Sequence, residues 1–481
     1  MRMPLFNATQ QSYTRRDSLG LQSLSSSIQA RVCPIINVVT PHPFYWAFLV
    51  WNYHHFYSLP ENKDKSDSEF NNTFVKRNDF YFALSHYLAG KDTTGIVGRT
   101  KIEDKFGGET QNDSFSFYKD YYQSHFGGMQ YYNNGCFAMG FVPNNRKLID
   151  LTKDTIGTQL TKAFDALIAE TKYFKEYILQ KKSLDEVSRE AIVEISDHLN
   201  MYLNNMDEVK EIIYKALFSN PHLSFTEEYI KQLLDKGLIS KGGEFSSKAA
   251  RKLLYGDMQP KILDGLDKSK KPKTIITQWE LIVANQYYVS CMEKLWKFML
   301  SILGIQCTQE QWIDKALSCS SDLNLKAPLS SFSEIHLSVD EMEEKIYQNA
   351  GPKTLSLVIS VLMSIINRFK DDVLKFNCIP SFASENRNNF TVFSLIKMIK
   401  EDTFENVEQL LRYLLKHHII ERHQRIATIK KYQGRDGFLY EFVDGLYSPI
   451  ADGRVNRNID VDLPALRFVN VFYVLKDLGK L

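Results

Sequence analysis

The residues best equipped for chemistry in this chain are cations, and they cluster. Lys416, Arg422, Arg425, Lys430, Lys431 and Arg435 stand against one acid, Glu421, and Arg454 and Arg457 extend the tract. The whole chain carries 59 Lys and Arg against 57 Asp and Glu, a net charge of +2, so the excess is local. Cations aligned on one face bind a polyanion by displacing its counterions. Nucleic acid, DNA first, is therefore the expected partner. His417, His418 and His423 share the tract, but spacings of one and five do not bring two imidazoles to one helix face as a metal site needs. His423 is read with the cations, facing phosphate or solvent, and no metal or other cofactor is expected. A second set is Asp92 with Glu103 and Lys105. It fits the outline of a metal-dependent nuclease, in which two carboxylates hold a divalent ion and a lysine sits by the attacking water. Such acid-lysine triplets are also common on solvated surfaces, and Glu343-Glu344-Lys345 has the same form.

Other reactive signatures are missing. There is no Gly-x-x-x-x-Gly-Lys-Ser/Thr loop, no Gly-x-Gly-x-x-Gly after a strand, no Gly-x-Ser-x-Gly and no His-Glu-x-x-His. P-loop nucleotide hydrolysis, dinucleotide binding and serine-elbow hydrolysis have no residues to run on. The six cysteines form no Cys-x-x-Cys pair and read as free, mostly buried thiols of a reducing compartment. No apolar run approaches the roughly 20 residues of a membrane span, and no signal peptide is visible. A cytoplasmic protein with no membrane contact is expected.

The elements that must hold these residues read as mainly α. Hydrophobic content of 44% over 481 residues, with 31 Phe and 25 Tyr, fills several cores, and about 150 residues per domain makes two to four. Residues 44–57 are apolar on nearly every face, the mark of a helix buried all round. Residues 274–304 and 353–376 follow helical spacing, with Thr308 capping a shorter helix after the first. Helix, tight turn, helix and hairpin recur near 117–160, 207–255 and 404–450, giving winged-helix-like modules. In the last of these a helix over 404–418 buries Phe404, Val407, Leu410, Leu411 and Leu414. Val443-Asp444-Gly445 then marks a tight β-hairpin. The organisation expected is an aromatic-rich N-terminal domain over 1–165 ending in a winged-helix-like module, and a helical domain over 166–267 with a second such module. A helical body over 274–390 follows, then a basic helix and hairpin over 391–481.

Two short segments resemble parts of uncharacterised bacterial proteins found beside anti-phage defence genes. They are Leu19-Gly20-Leu21 leading into residues 35–48, and residues 421–427 leading into the final hairpin. That resemblance implies glycine after Pro34, where this chain has Ile35. Gly140-Phe141-Val142, Leu151-Thr152 and residues 157–160 are similar to the closing strand and helix of some bacterial winged-helix domains. Charge, elements and resemblance together lead one to expect a non-catalytic nucleic-acid-binding or scaffold subunit of a larger bacterial assembly, in the setting of antiviral defence. A nuclease using Asp92, Glu103 and Lys105, or a pure protein-interaction scaffold, is the alternative.

Overall fold

A computed structural model describes residues 17–107, 111–121, 130–146, 149–256, 270–349, 351–371, 391–432, 437–450 and 461–481. The chain forms two compact units that interleave along the sequence. The first takes residues 1–32 and 246–465, and the second takes residues 33–245 and 466–481. Mainly helical architecture with short antiparallel ribbons is what the structure has.

Helix α1 (Leu21–Val32) opens the first unit, with Asp17 accepting from the Gln22 and Ser23 amides at its start. The second unit then begins with α2 (Phe44–Tyr57), α3 (Lys76–Leu88) and α4 (Arg99–Phe106). Every residue of α2 except His55 is buried, as a helix apolar on all faces demands. Phe44 stacks on Phe48 and on Phe82, Phe164 packs at a tilt against Phe44 and Phe48, and the Trp51 ring lies parallel to Phe48. Strand β1 (Ser114–Ser116) precedes α5 (Gln130–Ala138) and α6 (Ile156–Ile168). Thr155 caps α6 through a reciprocal bond with Thr158. Strand β2 (Glu186–Ser188) returns to pair antiparallel with β1, Phe115 opposite Val187. Next come α7 (Arg189–His198), α8 (Asp207–Phe218) and α9 (Pro221–Asp235).

The chain re-enters the first unit with α10 (Ser247–Tyr255), capped by Ser246. The 33-residue α11 (Lys270–Ile302) runs through that unit's core. Thr308 caps α12 (Gln309–Ser318), and α13 (Val339–Tyr347), α14 (Thr354–Phe369) and α15 (Val392–Lys400) follow. Helix α16 (Val407–Tyr413), a π-helical stretch (Leu414–Ile420) and α17 (Glu421–Tyr432) continue one another. Strands β3 (Glu441–Val443) and β4 (Leu446–Ser448) make the last ribbon. Helix α18 (Arg467–Asp477) returns to the second unit, where Phe468 and Phe472 pack on Phe245. No described helix is long and apolar enough to cross a membrane. The five described cysteines are free thiols, and Cys378 lies outside the described residues.

The described part of residues 141–151 holds no strand, and the ribbon of that region is instead the long-range pairing of β1 with β2. Residues 122–129 of the first expected module lie outside the described residues, as do residues 257–269 and 372–390. The domain boundary placed at 165/166 falls inside α6, and the second module is divided, since α8 and α9 belong to one unit and α10 to the other.

Ile35 adopts φ +73°, with the Ile36 amide donating to Pro34 O at 2.8 Å. This is the rare positive-φ γ-turn, strained for a β-branched residue. Arg467 holds it by donating to Cys33 O and Ile36 O, both at 3.2 Å. Relief of such strain is worth about 1–3 kcal/mol, enough to offset the lost side chain of half-buried Ile35. Ile35→Gly should therefore change stability by less than about 1 kcal/mol, whereas Ile36→Ala, at a fully buried position, should cost about 2–5 kcal/mol. Denaturant unfolding of the two variants checks this, and equal losses would refute the strain.

Candidate nucleic-acid interface

The basic tract is helical rather than a connector. Asn406 starts the rod by accepting from the Gln409 amide, and the π-helical turn carries it without a break into α17. A helix-turn-helix would need a turn here, and none interrupts residues 407–432. A π turn adds a residue and so re-aims the helix that follows it. One face of the rod is fully buried, through Val407, Leu410, Leu411, Leu414, Leu415, Ile419 and Ile420.

Helix α17 then divides its cations between interior and solvent. Arg422 is buried, its Nε donating to Leu19 O and its Nη2 to Gly20 O at 3.4 Å. His423 is fully buried between Trp296, at 4.6 Å between ring centroids, and Tyr440. Its Nδ1 donates to Ser18 O at 3.1 Å, and its Nε2 accepts from the Leu439 amide at 3.4 Å. Lys430 Nζ donates to Asp17 O at 3.2 Å. Four consecutive carbonyls, 17 to 20, are thus gripped by three side chains assigned to a polyanion. Arg422 and His423 cannot reach phosphate from there, which corrects that part of the expectation. The reason is positional, since 422, 423 and 430 fall on the side of α17 that covers the turn before α1.

Burial pushes the Arg422 guanidinium below its ordinary value. It also pushes His423 down to about 4 and His418 down to about 3, the latter with help from Arg422 and His417. His418 Nδ1 lies 2.6 Å from Tyr288 Oη. His417 faces outward to Glu421 one turn on, at 2.7 Å. The three histidines point three ways, and no group of three or more His, Cys, Asp or Glu among the described residues could hold a metal.

The solvent side keeps Lys416, Arg425 and Lys431. Lys416 Nζ lies 3.9 Å from Glu310. Arg425, Thr428, Ile429 and Tyr432 recur at helical spacing and so form one stripe, with Lys431 exposed beside it and Tyr432 87% exposed. Arg435, Arg454 and Arg457 lie outside the described residues.

The ribbon stands next to this stripe. Asp444 (φ 52°) and Gly445 (φ 81°) make the two-residue turn with both centres left-handed that Asp-Gly favours. Phe442 pairs with Tyr447 across it. Strand β4 is anchored on its other side by two backbone bonds between Tyr447 and Cys307, at 2.8 and 2.9 Å. Gln424 of α17 donates to Tyr447 Oη at 2.9 Å. Beneath lies a cluster of Trp296, Trp312, Tyr440 and Tyr447, which no periodicity in the sequence had singled out. The outer strand β3 is exposed along its length, with Phe442 and Val443 open to solvent.

The nuclease set takes local partners instead. Asp92 accepts from the Thr94 amide at 2.8 Å, Glu103 pairs with Arg99 one turn back at 2.7 Å, and Lys105 lies over the Tyr118 ring. Glu343 of the similar triplet is buried against Arg251 at 2.8 Å. His54 and His55 diverge, one toward Phe141 O and the other onto Asp165. Compared with known proteins, the chain matches no family model, no curated protein and no solved structure.

The two buried imidazoles couple stability to pH. Unfolded, each titrates near about 6.5, but folded they hold at about 3 and about 4. Below pH of about 6.5 the unfolded chain binds protons that the folded chain refuses, so stability present at neutral pH is lost toward pH 4 at about 1.4 kcal/mol per histidine per unit. Urea midpoints between pH 7.5 and 5 should fall, and fall less steeply in His423→Gln. A variant that keeps the wild-type slope would show that His423 is not held neutral.

Proposed function

We propose that this chain is a binding subunit that takes nucleic acid along the solvent side of α17 and the adjoining ribbon. The observation that carries the reading is Tyr432, an 87% exposed aromatic at the end of a helix whose other face is buried. It shares its stripe with Arg425 and adjoins Lys431. Bases stack on exposed aromatic rings while cations follow the backbone, a combination tolerant of sequence and suited to single strands. This differs from a recognition helix in a groove, because α17 offers solvent one narrow stripe and buries Arg422, His423 and Ala427. A protein partner in a larger assembly is the second reading, favoured by exposed Phe442 and Val443 on the open edge of β3. Such an edge accepts a further strand.

Anisotropy of a labelled single-stranded oligonucleotide distinguishes the two. Affinity should fall steeply between about 50 and 200 mM salt. The pair Arg425→Glu and Lys431→Glu should weaken binding at least about tenfold and flatten the salt slope. Tyr432→Ala should cost about 1–3 kcal/mol. No binding, or binding indifferent to all three changes, would sink the nucleic-acid reading.

A further inference from the structure

The hydrogen-bond pattern of the last ribbon decides which way its outer edge faces. Phe442 of β3 stands opposite Tyr447 of β4, and Val443 opposite Leu446. A two-residue turn makes the pair that flanks it, Val443 with Leu446, the hydrogen-bonded one, and bonded and non-bonded pairs then alternate. Phe442 and Tyr447 therefore point their N–H and C=O groups away from each other, out of the ribbon on either side. On the Tyr447 side both groups are taken, by the amide and carbonyl of Cys307 at 2.9 and 2.8 Å. On the Phe442 side the same donor and acceptor face an edge along which Glu441 to Gly445 are all exposed. Cys307 thus displays on one side of the ribbon the bonding that the other side has to offer.

Side chains on this edge set the chemistry of what it takes. Phe442 and Val443 are 48% and 57% exposed, and Glu441 and Asp444 flank them. Residues 437–450 hold those two acids and no Lys or Arg. A second copy of the chain, laid antiparallel through Phe442, would line up four carboxylates on one short sheet with no cation from either ribbon. We propose that the outer edge of β3 docks an extended segment of a partner protein, antiparallel, with apolar residues opposite Phe442 and Val443 and cations opposite Glu441 and Asp444. This rests on the protein-partner reading of the ribbon and not on the nucleic-acid one. The partner residue facing Phe442 exchanges two backbone bonds with it, as Cys307 does with Tyr447. Antiparallel pairing is required, because a parallel strand slants its bonds to two different residues. In strand addition the main-chain bonds supply affinity and the alternating side chains supply specificity.

The test offers the intact protein a capped synthetic peptide, Thr-Lys-Val-Ile-Lys-Thr, labelled for fluorescence anisotropy. Its isoleucine would stand opposite Phe442 and its lysines opposite Glu441 and Asp444. Saturable binding is expected. N-methylation of the isoleucine keeps the charge but removes the N–H due to Phe442 O, and should weaken binding at least about tenfold. Exchanging both lysines for glutamate should weaken it as much. Phe442→Pro, which deletes the outward N–H at an edge position where proline is tolerated, should do the same to the parent peptide, and the methylated peptide makes that comparison on the unaltered chain. No binding at about 1 mM peptide, or equal affinity for the methylated one, would overturn strand addition. Equal affinity for the glutamate peptide would overturn the basic partner. A concentration-dependent dimer of the chain alone, seen by sedimentation and lost in Phe442→Pro, would give the edge to a second copy instead. Each of these failures leaves oligonucleotide binding through Arg425, Lys431 and Tyr432 untouched, so the two readings fail separately.

Discussion

A carbonyl taken out of water must find a donor, and the turn from Asp17 to Gly20 presents four in succession to α17. The helix has no backbone N–H to offer, because its own ladder uses them. Side chains supply the donors instead: Arg422, His423 and Lys430. A guanidinium suits this because its donors are held in a fixed fork. Histidine fits because Nδ1–H toward Ser18 leaves Nε2 free to accept from Leu439, which fixes one tautomer. The grip sets the rotation of α17. Through Leu439 and Gln424 it also sets where the ribbon stands, and the exposed stripe is what that rotation leaves over.

The two units solve the problem of specificity differently. In the first, α11 is an apolar rod set with polar pegs. Asn285 accepts from the Val392 amide, Ser290 donates to Asp462 O, Glu293 accepts from Gln22, and Lys294 donates to the carbonyls at the end of α13. Each peg names one neighbour, where leucine against leucine would accept several registers. In the second unit Phe44, Phe48, Trp51, Phe82 and Phe164 interlock by ring shape. There the strained turn at Ile35 is held by Arg467 from a distant part of the chain.

Features that depend on neighbouring residues were legible in the sequence. The all-buried helix at 44–57, the cap at Thr308, the Asp-Gly hairpin and the greasy face from Val407 to Leu414 rest on local spacing, and the structure has them. Features that depend on distant partners were not. Charge clustering in sequence does not report which cations a helix turns inward, because the carbonyls that claim Arg422 and His423 lie about 400 residues away. Strand β2 meets β1 across the whole of residues 117–185, so no hairpin spacing announces the pair. Ile35 is the converse case. Its positive φ is local, yet a β-branched residue type gives no sign of it.

A single exposed tyrosine on a protein surface is ordinary, so its setting has to carry the weight. Tyr432 ends a helix whose opposite face is closed over Trp296 and the turn at 17–20, and the backbone beneath it is therefore already ordered. A partner that stacks on it has only the ring's own rotation to freeze, and binding that orders little loses little. The same burial that removes Arg422 and His423 from the surface thus strengthens what remains there. Fewer cations face solvent, but they sit on a platform held by its own interior bonds. Affinity from such a platform would draw on stacking as well as on charge, so replacing the ring should weaken binding even in salt high enough to screen the lysines.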